Sequence, residues 1–263
     1  MGKYIAVGHL NSPRFTLLNH TTPGSVSLAA TYTLPEAGYS TAFSPDGNYI
    51  AVAHGATPFF TLLNHTTPGS VSKAATYVLA GVGLGAAFSP DGKYIAVGHS
   101  VSPFFTLLNH TTPGSVSRAA TYTLSGGGRY GIAFSPDGKY IAVGHYVTPF
   151  FTLLNHTTPG SVSLAATYTL AGAGSTAFSP DGKYIAVAHS TSPRFTLLNH
   201  TTPGSVSLAA TYTLPGVVWL RRVKRGETLC PTAMYLPSGE KAAPRPTPAS
   251  TYVAARLTLP AVV

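Results

Sequence analysis

Hydrophobic and polar positions alternate in short bursts through most of this chain. In "YIAVGH" (94–99) Ile, Val and His fall on one face of an extended backbone, and Tyr, Ala and Gly on the other. "FFTLLNH" (104–110) is apolar on both faces, and "SRAATYTL" (117–124) alternates again. A fourth burst precedes "SPDG", where Pro presets φ and Gly takes the left-handed position of a turn. "SVSP" and "TTPGS" separate the remaining bursts. The pattern predicts four strands per unit and no helix in residues 1–214. Apolar residues on both faces fit sheets stacked between neighbouring sheets.

The unit recurs. "FTLLNHTTPGSVS" begins verbatim at Phe15, Phe60, Phe105, Phe151 and Phe195. "AFSPDG" has its Phe at 43, 88, 134 and 178, in steps of 45, 46 and 44 residues. Several short strands at this period predict the blades of a β-propeller. The expected fold is all-β: about five four-stranded blades, either incomplete or a fragment of a larger ring. "SPDGKYIAVGH…FFTLLN" resembles the WD-repeat and YVTN class of propellers. Within that class it is most similar to the "FSPDG-YLAVAH-SPF" repeats of uncharacterised bacterial and phage proteins. The class's Trp-Asp pair is replaced by Leu18-Asn19 and its copies, and the one Trp, Trp219, lies outside the repeats. The hydrogen-bond network built on that pair is therefore not carried over.

Residues 1–214 are expected to form the propeller and 215–263 an atypical C-terminal segment. There are five copies of strands two to four but only four first strands. "GVVWLRRVKRG" (216–226) is β-prone and stands where the missing strand would close the ring. A Pro/Ala-rich tail follows. Some codon choices for "CPTAMYLPSGEKAAPRP", read one base over, give a blade-like "PYGNVSAVG…SP". That leaves two readings of the segment open: a native end that closes the ring, or the next blade out of frame, which would make the chain a fragment of a longer propeller.

Only 9% of residues are charged, well below the usual quarter. Of the net +9, residues 215–263 supply +5 and the repeats +4. Basicity gathered in the tail argues against a nucleic-acid partner. The lone Cys230 has no intramolecular partner. With no signal peptide in "MGKYIAVGHLNSP" and no membrane-spanning run, a cytoplasmic or virion-associated protein with no membrane partner is expected.

Four of seven acids, Asp46, Asp91, Asp137 and Asp181, are turn residues. No dedicated pair of carboxyls converges, no triad has an orienting acid, and no Gly-rich loop opens a helix. The expectation is no enzyme and no cofactor. Histidines come two per unit. His9, His54, His99, His145 and His189 end the second strand and are weak metal candidates, since the rings they form are too wide to share one ion. The simpler reading of both sets is that each bonds turn backbone and caps a strand end.

Comparison of the copies is more telling. They differ after the second-strand His ("LNSPR", "GATPF", "SVSPF", "YVTPF", "STSPR") and between fourth and first strands ("PEAGYST", "AGVGLGA", "SGGGRYGI", "AGAGST"). Both loop sets emerge on one face, whereas "SPDG" and "HTTPGS" line a nearly uniform opposite face. The expected function is a binding or recognition module that presents the variable loops to a protein or glycan partner. The candidate residues are Arg129, Tyr130, Tyr146, Tyr39, Arg14 and Arg194. The alternative is a structural scaffold that assembles through its uniform face, or self-associates through an open sheet edge.

Overall fold

The computed structural model describes residues 3–126, 128–145, 147–189 and 194–213; of 128–130 and 194 it describes the backbone alone. These residues form nineteen strands and no helix. Blade 1 is a three-stranded sheet of β1 (Tyr4–Gly8), β2 (Arg14–Asn19) and β3 (Ser27–Thr33). Four four-stranded antiparallel sheets follow. Blade 2 contains β4 (Gly38–Phe43), β5 (Tyr49–His54), β6 (Phe59–Asn64) and β7 (Ser72–Val78). Blade 3 contains β8 (Gly83–Phe88), β9 (Tyr94–His99), β10 (Phe104–Asn109) and β11 (Ser117–Thr123). Blade 4 contains β12 (Gly128–Phe134), β13 (Tyr140–His145), β14 (Phe150–Asn155) and β15 (Ser163–Thr169). Blade 5 contains β16 (Thr176–Phe178), β17 (Tyr184–Ala188), β18 (Arg194–Asn199) and β19 (Ser207–Thr213). Strands pair in chain order within every blade, so each sheet is a meander.

The strand alternation decides which residues meet the neighbouring blades. Tyr49, Ala51, Phe60 and Leu62 of blade 2 face Ile95, Val97 and Leu108 of blade 3 in one buried cluster. Equivalent residues build the clusters between blades 1 and 2, 3 and 4, and 4 and 5. Phe15, Phe60, Phe105 and Phe151 are fully buried. Each contributes about 3–5 kcal/mol on the scale of core Phe truncations. The sequence expected packing between sheets from apolar residues on both faces, and the clusters supply it.

Each "SPDG" turn is closed by a Gly N–H donating to the Ser carbonyl, as Gly47 does to Ser44 at 2.9 Å, and Gly47 has φ 75°. The Ser44 hydroxyl donates to the Asp46 carboxylate at 2.5 Å and accepts from the Tyr49 N–H at 2.9 Å. Between third and fourth strands every blade carries a β-bulge, in blade 2 between Leu62 and Leu63. The bulge lies beside the site that varies among copies as Leu28, Lys73, Arg118, Leu164 and Leu208. Leu28, Leu164 and Leu208 are exposed on this outer strand, which is why the position tolerates change. The inner strands leave no such room. A Cβ on Gly131 would run into the Gly174 carbonyl oxygen, an approach that only glycine permits.

The proposed closing strand 216–226, the tail and the boundary at 214 lie outside the described residues.

Candidate functional site

The antiparallel meander puts the 2–3 hairpins and the inter-blade links on one face. Two hydrogen bonds join the first hairpin to the first link: Leu34 N–H donates to Pro13 O at 3.1 Å, and Gly38 N–H to His9 O at 3.2 Å. The link also touches the next hairpin, since Gly55 N–H donates to Ala37 O at 3.0 Å. Loops that differ among copies therefore interlock at each blade junction.

The junction between blades 1 and 2 holds two of the candidates, Arg14 and Tyr39. Arg14 begins β2 with φ 71°. Its Nη1 donates to Leu34 O at 3.1 Å and also to Pro35 O, while Nη2 lies 3.6 Å from Glu36 Oε1. The Glu36 Cγ and the Tyr39 ring both approach Gly55 of the neighbouring hairpin. Arg14, Glu36 and Tyr39 thus share one junction between blades 1 and 2. Tyr39 is at the border of exposure, and the Glu36 carboxylate is about half open to solvent. Arg14 anchors the link and presents only part of its guanidinium outward.

Glu36 was not among the sequence candidates, and the copies signal only the pairing of Arg with the Pro beside it. Copies with Arg at the hairpin end (Arg14, Arg194) are followed by "TLP", at Pro35 and Pro215. Copies with Phe59, Phe104 or Phe150 are followed by Ala-Gly or Ser-Gly. The Arg14 contacts to the Leu34 and Pro35 carbonyls give that coupling a physical basis. Of the other candidates, Arg129 and Tyr130 lie on β12 and Arg194 opens β18, with side chains outside the described set. Tyr146 lies outside it altogether.

The histidines divide into two roles. His9, His54, His99, His145 and His189 each pair Nε2 with a third-strand Thr hydroxyl (Thr16, Thr61, Thr106, Thr152, Thr196) at 2.7–3.0 Å. The Thr hydroxyl is a partner the sequence reading did not name, beside the loop backbone that His54, His99 and His145 also meet at Ala56, Val101 and Val147. Among the described residues no group of three His, Cys, Asp or Glu side chains could hold a metal ion. Burial pushes the pKa of His54 down to about 4, against an opposing backbone hydrogen bond at Ala56, and pushes His99 and His145 down in the same way. The second set does bond turn backbone. His65, His110, His156 and His200 donate from Nδ1 to the carbonyls of Gly47, Gly92, Gly138 and Gly182 at 2.9–3.0 Å. A carbonyl only accepts, so Nδ1 carries the proton in all four.

The uniform face is held by packing. Proline rings meet the next blade's turn glycine, Pro45 against Gly92, Pro90 against Gly138 and Pro136 against Gly182. The "TTPGS" glycines Gly114, Gly160 and Gly204 lie over Tyr49, Tyr94 and Tyr140 of the preceding blade. These contacts account for the glycines of the two loops, while Thr111, Thr112 and Pro113 and their copies stay exposed. Shallow grooves run between the turns on this face, with volumes of about 350 to 590 Å³. One is lined by Asp91, Lys93, Thr111, Asp137, Lys139 and Thr157. The grooves lie opposite the Arg14 junction and repeat with the blades.

No protein-family model matches the sequence, and no curated protein matches it. Solved structures do share the fold. A proposed 6-phosphogluconolactonase from Bacteroides uniformis superposes with a TM-score of 0.70 at 16% identity, over 81% of this chain and 69% of its own. The periplasmic gluconolactonase PpgL of Pseudomonas aeruginosa gives 0.68 at 17% identity, over 81% and 68%. Sqt1 of Chaetomium thermophilum, bound to the N-terminus of ribosomal protein L10, gives 0.60 at 19% identity, over 78% of this chain and 58% of Sqt1. The expectation of no enzyme is corrected by the first two neighbours, because this architecture is shared with proteins named as lactonases. Counting carboxylates in turns was too narrow a test, since a propeller can gather catalytic groups from several blades. The chain has the β-propeller fold, one that serves lactonases and a peptide-binding protein alike.

Proposed function

We propose that this propeller is a recognition module whose variable face, formed by the 2–3 hairpins and inter-blade links, receives a protein or glycan partner. The observation that carries this reading is the segregation of change. The copies are nearly identical, yet their differences collect where hairpin and link interlock. On the opposite face, packing against the next blade accounts for the constant glycines. At the Arg14 junction a cation, a carboxylate and an aromatic ring share one surface, and Arg and Tyr are among the side chains that contribute most at interfaces. The complex of Sqt1 with a ribosomal protein segment supports a polypeptide partner for this fold. By chain position, Arg129, Tyr130 and Tyr146 belong to the junction whose link is one residue longer than the longest of the others.

Glycan arrays and pull-downs with the full chain test the reading. Tyr39→Ala with Glu36→Ala, or Arg129→Ala with Tyr130→Ala, should weaken a captured partner at least about fivefold, a loss near 1 kcal/mol. Thr111→Ala with Thr112→Ala on the uniform face should leave it unchanged. The reverse pattern would assign binding to the wrong face. Hydrolysis of gluconolactone and 6-phosphogluconolactone belongs in the same set of assays. Turnover lost on substitution of the Asp91–Lys93 groove and kept on substitution of Tyr39 would replace the recognition reading with catalysis.

A further inference from the structure

The grooves of the uniform face form a connected row. The groove between blades 3 and 4 has Asp91, Lys93 and Thr111 on one side and Asp137, Lys139 and Thr157 on the other. The first three residues also line the groove between blades 2 and 3, and the second three the groove between blades 4 and 5. Pro45, Asp46 and Asn48 join the groove between blades 2 and 3 to that between blades 1 and 2. Neighbouring grooves therefore share a wall, and a chain laid along this face meets nearly the same side chains once per blade.

The wall is polar and its charges balance. The groove between blades 3 and 4 sets two carboxylates beside two ammonium groups. Lys139 Nζ lies 3.9 Å from Asp137 Oδ2, and Lys183 Nζ lies 4.0 Å from Asp181 Oδ2, with more than half of each side chain open to solvent. Asp Oδ1 is already taken by the Ser hydroxyl and a backbone N–H of its own turn. Every groove is also lined by a histidine of the second set, His65, His110, His156 or His200. Each is more than nine-tenths buried, and its Nε2 has no hydrogen-bond partner among the described residues. A further observation is the exposed Thr-Thr-Pro triplet, identical in all five copies. The packing of the adjacent glycine does not explain it. The variable loops descend through the same duplications and have changed.

We propose that this face binds a neutral carbohydrate chain, one segment to a groove. Sugar hydroxyls both donate and accept. Asp supplies acceptors, Lys donors, and the Thr hydroxyls both. The Tyr94, Pro90 and Pro159 side chains give the groove between blades 3 and 4 an apolar part for the C–H face of a ring. Balanced charge gives a polyanion no advantage there. One shallow groove holds its segment weakly, and the shared walls let successive segments of one chain bind together. The proposal does not rest on the variable-face reading.

The probes are soluble starch, dextran, glucomannan and galactan, immobilised, followed by titration calorimetry with oligosaccharides of whichever polymer retains the full chain. Affinity should rise at least about tenfold from disaccharide to octasaccharide. It should not change between about 0.1 and 1 M salt, because the ligand is uncharged. Thr111→Ala with Thr157→Ala alters three of the grooves and should weaken the octasaccharide at least about tenfold. Tyr39→Ala with Glu36→Ala should leave it unchanged. Near-ultraviolet dichroism checks that the Thr variant folds. If it does not, the wild type carries the test: saccharide should shift the ring resonances of His110 and His156 and leave those of His54, His99 and His145 in place. Retention by none of the polymers, affinity that ignores chain length, or binding that salt abolishes overturns the proposal. So do histidine shifts in the wrong set and retention by polygalacturonate or a peptide alone. A saccharide lost with Tyr39 and Glu36 but kept with the two Thr changes overturns it too, while leaving the variable-face reading standing.

Discussion

Acidification should unfold this protein through its second-strand histidines, and His54 gives the magnitude. The residue is fully buried, pairs with Thr61 at 2.9 Å, and has its pKa pushed down to about 4 by burial. In the unfolded chain it ionises near 6.5. Because the folded value is the lower one, the unfolded state binds protons first. The stabilisation is therefore complete above pH 6.5 and is lost as pH falls toward 4. Linkage gives a loss from His54 alone of about 1 kcal/mol at pH 5.5 and about 3 kcal/mol by pH 4. His99 and His145 are shifted the same way and add to it. Against a total stability on the order of 10 kcal/mol, this decides whether the fold survives. The assay is urea unfolding at half-unit pH steps from 7.5 to 4, on the wild type and on His54→Gln, whose amide still reaches Thr61. The wild-type midpoint should fall steeply below pH 6.5, and the variant should fall less, by about 1 kcal/mol at pH 5.5. Equal slopes for the two proteins, or a His54 ring resonance titrating near 6.5 in the folded state, would refute the reasoning.

Other outcomes follow from the packing. Phe105→Ala should cost about 3–5 kcal/mol in chemical denaturation, because Phe105 is fully buried between blades 3 and 4. Gly131→Ala should cost more than about 2 kcal/mol or abolish folding, since its Cβ would meet the Gly174 carbonyl. The Asp46 carboxyl is pushed up by burial but pulled further down by hydrogen bonds from Ser44 and Asn48, so its net shift is downward. Ser44→Ala should therefore reduce the stability lost below the ordinary carboxylate range near pH 4, read as a smaller drop in melting temperature between pH 4 and 2.5.

Much of the fold was legible because each strand's alternation names both of its faces. "YIAVGH" assigned Ile and Val to one side and Tyr and Ala to the other, and those sides meet different neighbouring blades. The turns were legible from Pro and Gly, and the missing first strand from counting copies. The partner of the second-strand His was not. Thr61 lies seven residues away, across a hairpin whose register depends on the loop between. The constancy of the glycine in "HTTPGS" was not legible, because a sequence does not show that Gly114 of one copy rests on Tyr49 of the copy before it. The Arg14 junction was half visible. Arg and Tyr stood out as residue types, but Glu36 gains meaning only when the Arg fork reaches the link carbonyls.

The sameness of the blade interfaces has a genetic consequence. Recombination between two "AFSPDG" segments would excise or duplicate one whole period and still join a Tyr and Phe face to an Ile and Val face. Loss of the 46 residues from Phe88 to Ala133, for instance, would bring Tyr49 and Phe60 against Ile141 and Val143, the side-chain types they already meet in Ile95 and Val97. No compensating substitution would be needed. Blade number can then change one whole period at a time with every remaining interface intact.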